Sequence, residues 1–285
     1  MREVRLGVYE KALPTSLPWS ERLNLARDLG FDYVELSIDE SEQRQARLDP
    51  RSAERREIRR AIAETDTAVF SICLSAHRRH SLGSADPATR ARAKEILDAS
   101  IELAAELGVR IVQIAGYAVY YEDETPESFD RFRDGLADGT AAAARAGVML
   151  GIENMDTVGI ASLRHGIVLA DEIGSPWLQL YPDLGNLVER GLDARSEIEF
   201  AKGRMVAVHA KDARPGEPRR VPFGEGDVPF GSLFAQLAAD GYAGPLLIEM
   251  WNDDAEDSLT RLKDARTWVT ERMREAGLPT RRVGA

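Results

Sequence analysis

The chain has 285 residues, 44% of them hydrophobic and 30% charged, a composition that can bury a full core and excludes a disordered protein. Thirty-seven Lys and Arg against 48 Asp and Glu leave a formal charge of −11, which repels DNA, RNA and anionic membrane while permitting a local basic site. The single cysteine, Cys73, cannot form an intramolecular disulfide, and Met1-Arg2-Glu3-Val4-Arg5 has no unbroken apolar run, so no signal peptide is expected. No apolar run approaches the ~18–20 residues of a membrane span. A cytoplasmic protein with no nucleic-acid or membrane partner is expected.

In chain order, short apolar runs predict strands at Val4–Tyr9, Tyr33–Ile38, Ala68–Ser75, Arg110–Gly116, Val148–Asn154, Leu178–Pro182, Met205–Lys211 and Pro245–Trp251. Each run is followed by a segment of helical period, and 285 residues shared among eight units allow about 36 each, enough for a strand, a crossover helix and two loops. Continuous apolar runs such as Val148-Met149-Leu150-Gly151-Ile152 suit parallel strands covered on both faces. Asp86–Leu107 and Ser128–Ala146 are the clearest helices, and the alanine run Ala141–Ala144 suits close packing of a helix on a sheet. Gly30, Gly108, Gly147, Gly174, Gly203 and Gly241 stand where helices should end. No Gly/Ser or Pro-rich linker divides the chain. The pattern predicts one α/β domain over 1–285, a (β/α)8 TIM barrel with a frayed tail at 280–285; an open doubly wound sheet is its main rival.

In a parallel barrel the reactive groups lie at the C-terminal ends of the strands. The fifth to eighth runs deliver Glu153, Asp183, His209 and Glu249 to one half of that rim. Singly, each suits a solvated rim residue or a hydrogen-bonded core histidine. Together, in apolar surroundings where an unpaired charge is costly, they suit one divalent metal ion: Mn²⁺, Zn²⁺, Co²⁺ or Mg²⁺. Three clustered carboxylates would otherwise raise one another's pKa and neutralise. The first run leads to Lys11 and the third to Ser75-Ala76-His77-Arg78-Arg79, basic and hydroxyl groups that suit an oxyanion, with a solvated loop as the plainer reading. Gly224-Glu225-Gly226 lacks the Walker lysine and spacing and reads as a turn or lid before the next helix. Glu35 and Gln113 read as polar contacts of the barrel interior and Cys73 as core.

Several blocks resemble a known family. They are Gly7-Val8-Tyr9-Glu10-Lys11-Ala12-Leu13-Pro14, Cys73-Leu74-Ser75-Ala76-His77-Arg78-Arg79, Phe132-Arg133-Asp134-Gly135-Leu136, Gln179-Leu180-Tyr181-Pro182-Asp183, Val221-Pro222-Phe223-Gly224-Glu225-Gly226 and Leu247-Ile248-Glu249-Met250-Trp251. They are similar to the L-ribulose-5-phosphate 3-epimerases of bacterial L-ascorbate catabolism, also called L-xylulose-5-phosphate 3-epimerases, within the xylose-isomerase-like barrels. The likeness runs from about Leu6 to Gly277. It implies a (β/α)8 fold, a divalent metal, a homodimer and a pentulose 5-phosphate substrate. It also implies Glu153, Asp183, His209 and Glu249 as ligands, and Lys11 with the loop around His77, Arg78 and Arg79 at the phosphorylated substrate, to which Ser75 at the start of that loop is added as a hydroxyl. Epimerising C3 of a 2-ketose needs a base on one face and an acid on the other, roles that Glu153 and Glu249 are expected to share. Asn154 departs from it, since the family often has an aliphatic residue there and other sugar isomerases of the superfamily carry Glu-Asn. Other classes in view are an aldose–ketose isomerase acting on a hexulose 6-phosphate or free sugar, an endonuclease IV-like nuclease and a sugar sensor. With four histidines in the whole chain, the histidine-rich three-metal nuclease centre is the poorest fit.

Overall fold

The computed structural model describes residues 3–157 and 159–280. Its strands are β1 (Leu6–Tyr9), β2 (Tyr33–Ile38), β3 (Ala68–Leu74), β4 (Ile111–Ala115), β5 (Met149–Glu153), β6 (Leu178–Leu180), β7 (Val208–Ala210) and β8 (Leu246–Ile248). They pair in parallel in the order β6-β5-β4-β3-β2-β1-β8-β7. Between β6 and β7 the ring is joined by single bridges, Leu180 to Met205 and Asp183 to His209. There Val206 N donates to Leu180 O at 2.9 Å and His209 N to Pro182 O at 2.7 Å. The fold is therefore the TIM barrel, not the open sheet. The later strands are shorter than the sequence suggests because their margins are single bridges rather than continuous ladders, and Pro182 and Pro245 bring no N–H.

Helices wrap the outside. Pro87–Leu107 and Pro126–Ala146 match the two clearest expectations. The second begins earlier than expected, because Thr125 caps the Ser128 N–H while the Ser128 hydroxyl accepts from the Thr125 N–H. Both end on glycines at positive φ, Gly108 at 71° and Gly147 at 69°, where a Cβ would be strained. At the other end of the chain, Thr280 bridges Val4, and Val4 N donates to Pro279 O at 2.7 Å. Of the tail expected to fray, residues 281–285 lie outside those described.

The period-two geometry of a strand sorts its side chains between two compartments. Val34, Leu36 and Ile38 of β2, Ile72 and Leu74 of β3, Val112 and Ile114 of β4, and Leu150 and Ile152 of β5 join the large apolar core against the helices. The alternate residues face the axis. Near the base they are Tyr33, Leu247, Ile111 and Tyr181, in smaller clusters of their own. Gly7 makes room for them, since a Cβ there would fall 2.2 Å from the Tyr33 ring. By the same parity Glu35, Gln113, Glu153 and His209 point inward near the C-terminal end. The barrel's interior is thus apolar below and polar above.

Candidate active site

His209 is the hub of this polar layer. Its Nδ1 lies 2.9 Å from Glu153 Oε1 and its Nε2 lies 2.8 Å from Glu35 Oε1. Glu35 is fixed in turn, accepting from the Ser71 hydroxyl at 2.6 Å and the Tyr181 hydroxyl at 2.8 Å. Gln113 donates its amide to Glu153 Oε2. Both residues read as interior contacts are interior contacts, and each steadies a member of the expected cluster.

Asp183 is held by its backbone. It caps the helix Leu184–Glu189, its Oδ1 accepting from Asn186 N at 2.8 Å. Asn154 brackets it from the neighbouring strand, donating Nδ2 to Asp183 O at 3.0 Å and accepting from Asp183 N at 2.8 Å. The Asn154 departure therefore has a local structural task, the placing of Asp183. Glu249 follows β8, anchored by its N–H to Ala210 O at 3.0 Å.

The four residues expected to meet do meet. Glu153, Asp183, His209 and Glu249 are buried and each offers a ligand atom within 4.8 Å of the others. Among the described residues, neither Asp183 Oδ2 nor Glu249 Oε2 has a hydrogen-bond partner; both are buried and meet a cation only as ion-pair contacts. Three carboxylates and an imidazole so placed fit a hard or borderline divalent cation, and Glu35 on the remote nitrogen of His209 is the usual outer partner of a ligating imidazole.

Between Asp183 and Glu249 stands a group the sequence reading passed over. Lys211 Nζ is 3.0 Å from Asp183 Oδ2, 3.4 Å from Glu249 Oε2 and 2.8 Å from Asn186 Oδ1. The signal was available, since Lys211 follows the inward His209 by two residues and a lysine in an apolar strand is seldom buried without a partner.

Burial and charge compete throughout the cluster. Burial pushes the Glu153 carboxyl up, and pushes Asp183 up to about 7 against the opposing charge of Lys211. Burial would also raise Glu249, but Lys211 and His209 outweigh it and hold that carboxyl at about 2. For His209 burial favours the neutral ring, and the carboxylates of Glu35 and Glu153 reverse this, raising it well above its ordinary value.

The basic residues expected at an anion are separated by the structure. Lys11, Ser75 and Arg78 line the cavity above the cluster; His77 and Arg79 do not. Ser75–Arg78 forms a 3₁₀ turn, in which residues three apart share a face, so Ser75 and Arg78 look inward together. His77 points instead into the helix Pro87–Leu107, donating Nε2–H to Ala93 O at 3.1 Å, and burial lowers it to about 4. Arg79 is exposed. Among the described residues Arg78 Nε and Tyr117 Oη find no hydrogen-bond partner although both are buried, and the Arg78 guanidinium lies 5.4 Å from the Tyr120 ring. Lys11 is ion-paired to Asp39 at 2.6 Å. Cys73 packs with Tyr9, Tyr33 and Leu247, as core, and its thiol, pushed up by burial, also faces the cavity.

The segment after β7 closes one side. Asp212 accepts from the N–H groups of Ala213 (3.0 Å), Gly224 (2.8 Å) and Gly226 (3.0 Å), tying down the Gly224-Glu225-Gly226 turn. A Cβ at Gly226 would lie 2.0 Å from Asp212 Oδ1, which is why glycine stands there. Arg219, also missed by the sequence reading, reaches from this segment into the cavity wall and pairs with Asp156 after β5 at 2.8 Å.

Residues 23–272 match the xylose isomerase-like TIM barrel family. The L-ribulose-5-phosphate 3-epimerase UlaE of Salmonella paratyphi C (strain RKS4594) is 48% identical over 277 residues, covering 97% of this chain and 98% of that protein. The protein of the same name from Escherichia coli O157:H7 (strain EC4115 / EHEC) is 47% identical over the same span. Among solved structures, an L-ribulose 3-epimerase superposes with a TM-score of 0.83 at 24% identity, covering 96% of both chains. A D-allulose 3-epimerase from Methylomonas sp. gives 0.78 at 18% identity, covering 95% of this chain and 98% of that one. These two likenesses are likenesses of fold. Among the described residues no helix is long and apolar enough to cross a membrane.

Proposed function

Because the chain belongs to the L-ribulose-5-phosphate 3-epimerase family of xylose isomerase-like TIM barrels, and is an epimerase and so an isomerase, we propose that it interconverts L-xylulose 5-phosphate and L-ribulose 5-phosphate. The observation that carries this reading is the meeting of Glu153, Asp183, His209 and Glu249 beneath a cavity whose wall includes Arg78.

Inverting C3 of a 2-ketose requires removal of the proton next to the carbonyl and return of a proton to the opposite face. One divalent ion, Mn²⁺, Zn²⁺, Co²⁺ or Mg²⁺, held by Glu153, Asp183, His209 and Glu249, supplies Lewis acidity that makes that proton removable. Glu153 and Glu249 end strands three apart in the ring, so they approach the shared centre from different directions. One takes the C3 proton on a carboxylate oxygen, leaving an enediolate, and the other delivers a proton to the far face. In the reverse reaction they exchange tasks. Gln113 steers the Glu153 carboxylate, and Lys211 steers that of Glu249. Burial excludes bulk water and strengthens each of these contacts.

Arg78 and Lys11, with the Ser75 hydroxyl, take the 5-phosphate in this scheme. Guanidinium and ammonium make charge-assisted bonds to its oxygens, and Arg78 Nε has a hydrogen bond to offer. The single histidine of the cluster and the charge of −11 weigh against the nuclease alternative. Our reading extends to a cytoplasmic homodimer acting in L-ascorbate catabolism.

The test is turnover of L-xylulose 5-phosphate in deuterium oxide, followed by NMR. Epimerisation places deuterium on C3 of the product. Label at C1 or C2 instead refutes 3-epimerisation in favour of aldose–ketose isomerisation.

A further inference from the structure

Lys211 has more to explain than the steering of one carboxylate. It is 4% exposed, and burying an ammonium is costly unless it is fully paired. Its partners are three oxygens from separate parts of the rim: Asp183 Oδ2, Asn186 Oδ1 and Glu249 Oε2, at 3.0, 2.8 and 3.4 Å. The amide of Asn186 is turned for this purpose, because its Nδ2 donates to Asn154 O at 2.9 Å and so leaves Oδ1 toward the lysine. Converging carboxylate and amide oxygens are the ligand type that hard divalent cations take. Two of the three belong to residues that also form the four-residue cluster.

We propose that the Lys211 ammonium is a built-in second cation, filling an oxygen pocket of Asp183, Asn186 and Glu249 and so restricting the centre to one divalent ion. The inference rests on reading the cluster as a metal centre. A second divalent ion placed among those oxygens would meet the ammonium at contact distance, where like charges in a poorly screened interior repel strongly. The charge balance points the same way. Four carboxylates, those of Glu35, Glu153, Asp183 and Glu249, face three positive charges when one divalent ion joins Lys211. With a neutral side chain in place of the lysine, two divalent ions bring the centre to neutrality. The lysine thus gives the site a second cation, one that cannot be chelated away or exchanged.

The experiment is titration of the metal-stripped full-length protein with Mn²⁺, read by calorimetry for stoichiometry and by electron paramagnetic resonance for spin coupling. Wild type takes up one equivalent and shows the spectrum of an isolated ion. Lys211→Met takes up two, with the exchange-coupled spectrum of an adjacent pair, while Lys211→Arg, which keeps the charge, remains at one. Lys211→Gln is read in place of Lys211→Met if circular dichroism shows that the methionine variant does not fold. One equivalent in a folded neutral variant overturns the proposal. A coupled pair in the wild type also overturns it, whatever the variants do. No Mn²⁺ uptake by wild type is a different failure, that of the metal-centre reading itself.

Discussion

Replacing Arg78 by alanine separates a phosphate site from a solvated loop. Its Nε is buried with no hydrogen-bond partner among the described residues, so truncation strands no acceptor there and the folded state should be little disturbed. The loss should fall on the bound anion. One charge-assisted hydrogen bond contributes about 1.5–3 kcal/mol, which lowers kcat/KM for the 5-phosphate ester roughly ten- to a hundredfold. The unphosphorylated pentulose offers no anion, so its kcat/KM should hardly change. Arg79→Ala is the internal control, because Arg79 is exposed and does not line the cavity; both substrates should be turned over as by wild type. Lys11→Ala should lie between the two, below about tenfold, since Asp39 at 2.6 Å already neutralises much of its charge. The assay is kcat/KM on ester and free sugar for the three variants. If Arg78→Ala keeps the wild-type ratio of the two rates, Arg78 is not at the phosphate and the reasoning from its unpaired Nε fails.

Glu153→Gln and Glu249→Gln should each lower kcat by roughly 10²–10⁴-fold, the usual worth of a general acid or base, in a protein that stays folded by circular dichroism. Near wild-type turnover with metal bound would remove that residue from the acid/base pair. Chelation should abolish activity and Mn²⁺, Co²⁺ or Zn²⁺ restore it; full activity in protein shown metal-free by elemental analysis would dispose of the metal. Glu35→Ala, which releases His209 Nε2, should weaken metal affinity about ten- to a hundredfold by calorimetry, and unchanged affinity would deny Glu35 that role. His77 supplies a pH test: its folded value of about 4 lies below its ordinary 6.5, so the unfolded chain binds the proton first and stability falls as pH drops from 6.5 to 4. The gap corresponds to about 3 kcal/mol, and His77→Gln should flatten that part of a denaturation-against-pH profile; an unaltered slope would show that His77 is not buried neutral.

What the linear chain determined was whatever depends on local period. Eight apolar runs at regular intervals dictate a repeated strand–helix unit, and alternation within a strand dictates which side chains share a compartment. That is why Glu153, His209 and Glu249 could be placed together with Asp183 from residues far apart in sequence: parity and strand ends are local properties, and barrel closure does the rest. Strand lengths were less legible, because the last residues of β6, β7 and β8 depend on partners contributed by other strands. The basic run was not legible at all beyond its composition. Only the 3₁₀ turn decided that Ser75 and Arg78 face the cavity while His77 turns to Ala93, since a change of residues per turn from 3.6 to 3.0 rotates each side chain onto a different face. Lys211 and Arg219 likewise acquired meaning from their partners. Asp183, Asn186 and Asp156 lie tens of residues away, and a buried charge is defined by the groups that the whole fold sets around it.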